Sequence, residues 1–321
     1  MNAYANIKVL VTGAGRFIGR FLTEKLVDSG ADVTAFIWHK AKKSNNLAGD
    51  LAPEKFRQIN IHYGDLKEYR ILLKILREVD VVFHLAASNS VPDSLAHPKE
   101  VIENNVTGTL NLLSAARECG SKRVVIASSA GVYGTASGLP ITEKHPTFPG
   151  SPYAASKIAA EKIALGFYHS FALPVVILRP FNTFGPGQSR RAVIPEIISQ
   201  ALSGREIKLG RIDSTRDFNY VLNAVSGFLA AGVTEKIEGE IFNIASGSEH
   251  SLREVVENIG NILGKDLKIS SESKRKRPGK SDADRLRASI EKAQKMLHYE
   301  PEVTFFAGLK RTIDYYARHL K

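Results

Sequence analysis

The sequence predicts an α/β protein: a doubly wound parallel sheet followed by a smaller mixed α/β lobe. Three observations carry this. The first half of the 321-residue chain alternates short β-branched runs with longer helical patterns. The strand runs are apolar almost throughout instead of alternating, as strands covered on both faces are. The first of them ends in a glycine-rich turn that opens a helix, "KVLVTGAGRFIGR", Lys8 to Arg20.

In chain order the elements read as a strand "IKVLVT" and a helix from Phe17 to Ser29, then a strand "DVTAFIW". A strand "INIHYGD" precedes a helix from Tyr69 to Val79, and "DVVFHLAA" precedes one from Lys99 to Cys119. "RVVIASS" is followed by a helix from Tyr153 to Phe171, and "PVVILRP" closes the series. Such βαβ units have right-handed crossovers, and their ligands lie beyond the carboxyl ends of the strands. After Pro180 the pattern loosens into loops, "NTFGPGQSRR" and "SESKRKRPGKSD", and short strands such as "IKLG" and "EIFNIAS".

Composition narrows the class. With 43% hydrophobic and 24% charged residues the chain is an ordinary globular one. No apolar stretch approaches the roughly 18 residues of a membrane span, and no signal-peptide pattern precedes the first strand, so a cytoplasmic location is expected. Cys119 is the single cysteine, which excludes an intrachain disulfide and any cysteine-rich metal site; it is expected to be a buried helix residue, and no metal is expected. The net charge of +11 asks for an anionic partner. The densest basic runs, "HKAKK" at 39–43 and "KRKR" at 274–277, form no stripe along one helix face. Charge alone leaves nucleic acid, an anionic membrane and a small polyanionic substrate open; the expectation is no nucleic acid and no membrane.

In the first βα turn, backbone N–H groups and the helix dipole face a pyrophosphate. Gly13 permits the tight turn and Gly19 lets the helix lie close to the sheet, with Gly15, Phe17 and Ile18 completing the loop. Position 16, where a loop of this spacing has its middle glycine, is an arginine. The second strand, "DVTAFIWHK", ends without the carboxylate that would hydrogen-bond a ribose 2′-hydroxyl; His39 and Lys40 follow. NAD is the expected cofactor and NADP the alternative, with Arg16 either facing a 2′-phosphate or lying at the surface.

"SPYAASK" carries Tyr153 and Lys157 four residues apart, on one helical face, after a Ser151 cap and a proline in the first turn. A phenol with a pKa near 10 serves as a base only with help, which a neighbouring ammonium provides. "VVIASSAGVYG" puts Ser128 and Ser129 at a strand's carboxyl end, where a hydroxyl can share a hydrogen bond with a substrate oxygen.

Taken together, "TGAGRFIG", "HLAA", "NNVTGT", "SSAGVYG", "YAASK", "RPFNTFGPG", "TRDFNYV" and "RPGK" resemble, in order and spacing, the NAD(P)-dependent nucleotide-sugar epimerase/dehydratase family of extended short-chain dehydrogenase/reductases. The resemblance implies that Ser129, Tyr153 and Lys157 are catalytic. It places Asp65 and Leu66 against adenine, and Leu85, Ala86, Ala87, Asn105 and Pro180 along the cofactor. It gives the substrate Ser128, Asn182, Arg216 and Arg277, the two arginines pairing with its diphosphate. It implies a dinucleotide-binding domain over 1–180, with 216–246 returning to it, and a nucleotide-sugar lobe over 181–215 and 247–321. A homodimer through the 99–119 and 153–171 helices is implied as well.

One departure bears on the reaction. Family 4,6-dehydratases carry acidic residues directly after the catalytic serine or threonine, where this chain has Ala130 and Gly131; "SSAGVYG" instead resembles the stretch in 4-epimerases. A 4-epimerase acting on a UDP-hexose or UDP-N-acetylhexosamine is expected, with a 4,6-dehydratase or a 4-keto reductase as the alternative. From another class, a catalytically silent NAD(P)-sensing or RNA-associated protein is the remaining rival. Asn223 in "YVLN" stands where relatives often have an aspartate.

Overall fold

The computed structural model describes residues 3–39, 47–136, 138–210, 212, 214–271 and 285–319. Arg277, Lys40 and both basic runs, apart from His39, lie outside the described residues.

Six apolar segments form the strands β1 (Lys8–Thr12), β2 (Asp32–Trp38), β3 (Ile59–Gly64), β4 (Val81–His84), β5 (Arg123–Ala127) and β6 (Val175–Pro180). They join with Ile241–Ile244 in one seven-stranded sheet, in the order β3, β2, β1, β4, β5, β6 and then Ile241–Ile244. Every pairing in it is parallel. This is a Rossmann-type sheet, and strand order reverses between β1 and β4, so a crevice opens at their carboxyl ends. Val9, Val11 and Phe83 face one apolar layer and Leu10, Val82 and Val124 the other, which is why these strands read as continuous hydrophobic runs.

Helix α1 (Phe17–Asp28) packs on one face beside the helix Val221–Val233. The expected single helix over Lys99 to Cys119 is broken: Pro98–Ile102 passes into a π-helical turn, Glu103–Thr107, before Gly108–Glu118. Cys119 caps that last helix, half-buried, its thiol 3.6 Å from the Leu73 carbonyl.

Beyond the seven-stranded sheet the chain forms short strands. Asn182–Phe184 runs parallel to Phe218–Tyr220, and Thr215–Arg216 lies between His250–Ser251 and Arg285–Leu286. Helices Val193–Ser203, Leu252–Leu263 and Phe305–His319 cover them. Asn223 explains itself here. Its Nδ2 donates to the Val303 carbonyl at 2.9 Å while its Oδ1 accepts from the Val303 N–H at 2.9 Å, and an aspartate would lose the first bond.

Candidate active site

The glycine turn sits at the reversal point. Gly13 has φ +73°, and a Cβ there would lie 2.9 Å from the Ala86 N, so the turn and the 85–87 loop touch backbone to backbone. A Cβ on Gly19 would come within 2.3 Å of the Gly13 carbonyl oxygen. Thr12 locks this contact, its Oγ1 accepting from the Ala86 N–H at 3.1 Å and meeting His84 Nδ1 at 2.8 Å. The other His84 nitrogen meets Thr109 Oγ1 at 3.0 Å, and burial, with the Lys157 charge adding to it, pushes the imidazole pKa down to about 3.

Arg16 is the N-cap of α1, exposed, with φ −103° and ψ 171°. That backbone suits any L-residue, so the fold needs no glycine at this position. Helix α1 has no side-chain cap and no acid in its first turn. The helix Pro152–Phe171, by contrast, is capped by Ser151, whose hydroxyl accepts from the Ala154 N–H at 3.1 Å. The uncapped, electropositive start of α1 and the glycine cradle beside it are the chemistry of a pyrophosphate site.

Asp65 and Leu66 follow β3. Asp65 Oδ2 accepts from Trp38 Nε1 at 3.3 Å, and the Leu66 side chain fills the space opposite Gly108, where a Cβ would meet it at 3.0 Å. Leu85, Ala86 and Ala87 are half-buried beside the turn. Asn105, inside the π-helical turn, accepts from the Ser88 N–H at 2.7 Å and donates to the Ser88 carbonyl at 3.0 Å and to Ser156 Oγ at 2.9 Å. Ser156 in turn donates to the Tyr153 carbonyl at 2.7 Å. Asn105 therefore ties the 88 loop to the helix that bears the reactive phenol.

Ser129, Tyr153 and Lys157 converge at the ends of β5 and the start of Pro152–Phe171. A Cβ built on Gly131 would be 3.3 Å from Ser129 Oγ and 3.5 Å from Tyr153 Cε1, so position 131 looks onto both reactive groups. Ser129 Oγ accepts from the Gly131 N–H at 3.0 Å. Burial pushes the Tyr153 phenol up, and its hydrogen bond with Ser129 opposes that. Burial also pushes Lys157 down to about 8, against the attraction of Glu161, so it stays cationic at neutral pH. Its Nζ donates to the Ala127 carbonyl at 2.8 Å.

Ser128 is directed elsewhere than expected. Its hydroxyl donates to Glu161 Oε1 at 2.5 Å, so in this arrangement its proton serves the protein interior and not a substrate oxygen. Glu161 is held two-pronged by Arg179, Nε to Oε1 at 2.8 Å and Nη2 to Oε2 at 2.6 Å, with both side chains almost wholly buried. Arg179 Nη1 reaches the Tyr133 hydroxyl at 2.8 Å, and that hydroxyl donates to Asn243 Oδ1 at 2.7 Å. The sequence reading did not contain this network. Its one local signal is that Glu161 stands a helical turn beyond Lys157.

Beyond β6, half-buried Asn182 follows Pro180 and Phe181 and pairs in register with Phe218. Arg216 is buried, its Nη1 donating to the Thr215 carbonyl at 2.8 Å. Its neighbour Asp217, also absent from the sequence reading, is fully buried and takes four hydrogen bonds: from the Ser246 N–H and hydroxyl, the Gly247 N–H and the Ala288 N–H. Burial raises its carboxyl to about 6 in spite of those donors.

The arrangement defines a class: a dinucleotide fold whose strand ends carry a buried phenol, a hydroxyl and an ammonium. The sequence model of the GDP-mannose 4,6 dehydratase family matches residues 10–312, and the chain belongs to that family, within the extended short-chain dehydrogenase/reductases. A UDP-glucose 4-epimerase of Mycolicibacterium smegmatis is 33% identical over 97% of this chain and 98% of its own. A UDP-glucuronic acid 4-epimerase of Bacillus cereus, solved with UDP-glucuronic acid and NAD, superposes with a TM-score of 0.88 at 29% identity, over 98% of this chain and 100% of that one. A dTDP-glucose 4,6-dehydratase of Streptomyces venezuelae with NAD bound superposes with a TM-score of 0.86 at 30% identity, over 97% of each chain.

Proposed function

We propose that the protein is a nucleotide-sugar 4-epimerase that acts on a UDP-hexose or UDP-N-acetylhexosamine and retains NAD. The observation that carries this is position 131. A side chain there would meet both Ser129 Oγ and the Tyr153 ring, and the residue is glycine, with Ala130 beside it. No carboxyl stands there to remove water across C5 and C6, so the groups present serve proton transfer at one carbinol. The relatives described above include two UDP-sugar 4-epimerases, and their substrates support the UDP assignment.

In this reading Gly13, Gly15, Phe17, Ile18 and Gly19 hold the pyrophosphate of the cofactor, and Arg16 faces its adenosine end or lies at the surface. Asp65 and Leu66 hold its adenine, and Leu85, Ala86, Ala87, Asn105, Pro180, Tyr153 and Lys157 the remainder. When bound there, the nicotinamide would supply the hydride acceptor and donor for the sugar's C4. Tyr153 takes the proton of the C4 hydroxyl and gives it back, and Ser129 steadies the oxygen. Lys157 keeps a positive charge one helical turn from the phenol, and the helix N-terminus adds to it; both favour the phenolate that burial disfavours. Asn182 and Arg216 grip the substrate, with Arg277 as the second diphosphate arginine.

Residues 1–180 with 216–246 then form the cofactor domain and the rest the substrate lobe. Ile102, Leu110 and Phe171, each between 39% and 48% exposed, lie on the helices proposed to pair two copies. No described helix is long and apolar enough to cross a membrane, in keeping with a cytoplasmic homodimer. Incubation with UDP-, dTDP-, GDP- and CDP-sugars, followed by NMR of the C4 configuration, tests the assignment. Epimer without added cofactor is expected; a 4-keto-6-deoxy product, or no turnover, would overturn it.

A further inference from the structure

The adenosine end of the cofactor site differs in kind from its nicotinamide end. Trp38, the chain's single tryptophan, is the last residue of β2, at the carboxyl edge of the sheet. One strand away, the Gly13 N–H donates to the Phe36 carbonyl at 3.0 Å, which sets the glycine turn directly beside this strand end. The partner of Trp38 on β3 is Gly64, and the space a Gly64 Cβ would need is taken by the Phe36 ring, 2.9 Å away. The β3 residue in register with Trp38 thus contributes no side chain of its own.

The indole is nevertheless oriented. Its Nε1 donates to Asp65 Oδ2 at 3.3 Å, while Asp65 Oδ1 accepts from the Lys67 N–H at 3.0 Å, so the carboxylate that steers the ring is itself fixed by its own turn. Large apolar side chains are usually covered, yet 38% of Trp38 is exposed. An aromatic face held in place at the rim of a nucleotide crevice is a stacking surface for a purine.

We propose that Trp38 is the adenine platform of this protein: the base stacks on the indole, and stacking replaces the ribose-gripping carboxylate that β2 lacks. The proposal rests on the dinucleotide reading above and deepens it. An uncharged ring neither binds a 2′-hydroxyl nor repels a 2′-phosphate, so this end of the site accepts both forms of the cofactor.

The test is a titration of the purified protein, first freed of retained nucleotide, with NADH and with NADPH, reading tryptophan emission and nicotinamide emission separately. Because Trp38 is the only indole, quenching reports on this residue alone. Expected are quenching by both dinucleotides, with affinities within about tenfold of each other. Trp38→Ala is expected to weaken both by roughly five- to hundredfold, the range of one lost base–aromatic stack, and Trp38→Phe by less than about threefold. NADH binding, seen in nicotinamide emission, with unchanged tryptophan emission or with full affinity in Trp38→Ala, would overturn the platform and leave the epimerase reading standing. Binding of NADH alone would overturn the tolerance of the 2′-phosphate. If neither dinucleotide binds the wild-type protein, the cofactor reading itself falls and this proposal with it. The wild-type quenching needs no variant, so the proposal can be refuted even if Trp38→Ala does not fold.

Discussion

The two ends of the strand crest are built differently. At the β5 end, Ser128, Lys157, Glu161 and Arg179 are all buried, and each polar group answers another within 3 Å. At the β1 and β2 ends, Arg16 and Trp38 are exposed. The contrast teaches where substitution is tolerated. A buried, mutually bonded group cannot change alone, because its partner is left desolvated, whereas a rim residue answers only to the ligand.

The largest effect should come from the phenol. Tyr153→Phe is expected to lower kcat by about 10³-fold, within the usual range for a proton-transfer group, with the melting temperature little changed. Steady-state turnover with thermal denaturation checks this, and near-normal turnover would end the proposed chemistry.

Next is the buried ion pair. Glu161→Ala strands Arg179 in the interior and is expected to cost about 3–5 kcal/mol in urea unfolding, while a rim change such as Arg16→Gly costs at most a few tenths, as N-cap exchanges with glycine do. Equal costs for the two would erase the contrast.

Two buried titrating groups give a third comparison, His84 at the end of β4 and Asp217 next to Arg216. His84 titrates at about 3 in the fold against 6.5 in the open chain, so between those values the unfolded state holds the extra proton and stability falls as pH falls. Asp217 titrates at about 6 against 3.8, so from pH 4 to 6 the folded state holds the proton and stability falls as pH rises. The two slopes oppose. His84→Gln should expose the second and Asp217→Asn the first, each by about 1.4 kcal/mol per pH unit. Unfolding curves at pH 4, 5 and 6 measure it, and unchanged slopes in both variants would refute the assignment.

The smallest expected effect is on binding at the rim: Arg16→Gly should shift NADH affinity by less than about threefold in the same emission titration, because the backbone at position 16 already has an ordinary conformation.

The sequence made plain whatever is local. Runs of apolar residues give the strands, the Gly13–Gly19 turn gives the first crossover, and Tyr153 with Lys157 share a helical face at a spacing that any helix imposes. What it hid is non-local. Glu161 meets Arg179 across 18 positions, and Asp217 gathers donors from 246, 247 and 288; periodicity carries no trace of either. The Ser128 hydroxyl could be placed at a strand end from sequence, but not turned inward. Arg16 misled in the opposite way, since a spacing rule asks for glycine where the φ angle does not.

The widened turn at Glu103–Thr107 has a consequence for how this chain can be altered. One additional residue in a helical circuit rotates all that follows by roughly 100°. Upstream and downstream faces are thereby set independently, with Asn105 aimed at Ser156 and Leu112 and Leu113 sunk in the apolar layer. Point substitution leaves that phase intact. Excising a single amino acid there would restore regular winding and swing one of the two faces away from its target, so the length of this segment, as much as its letters, is part of what the gene must preserve.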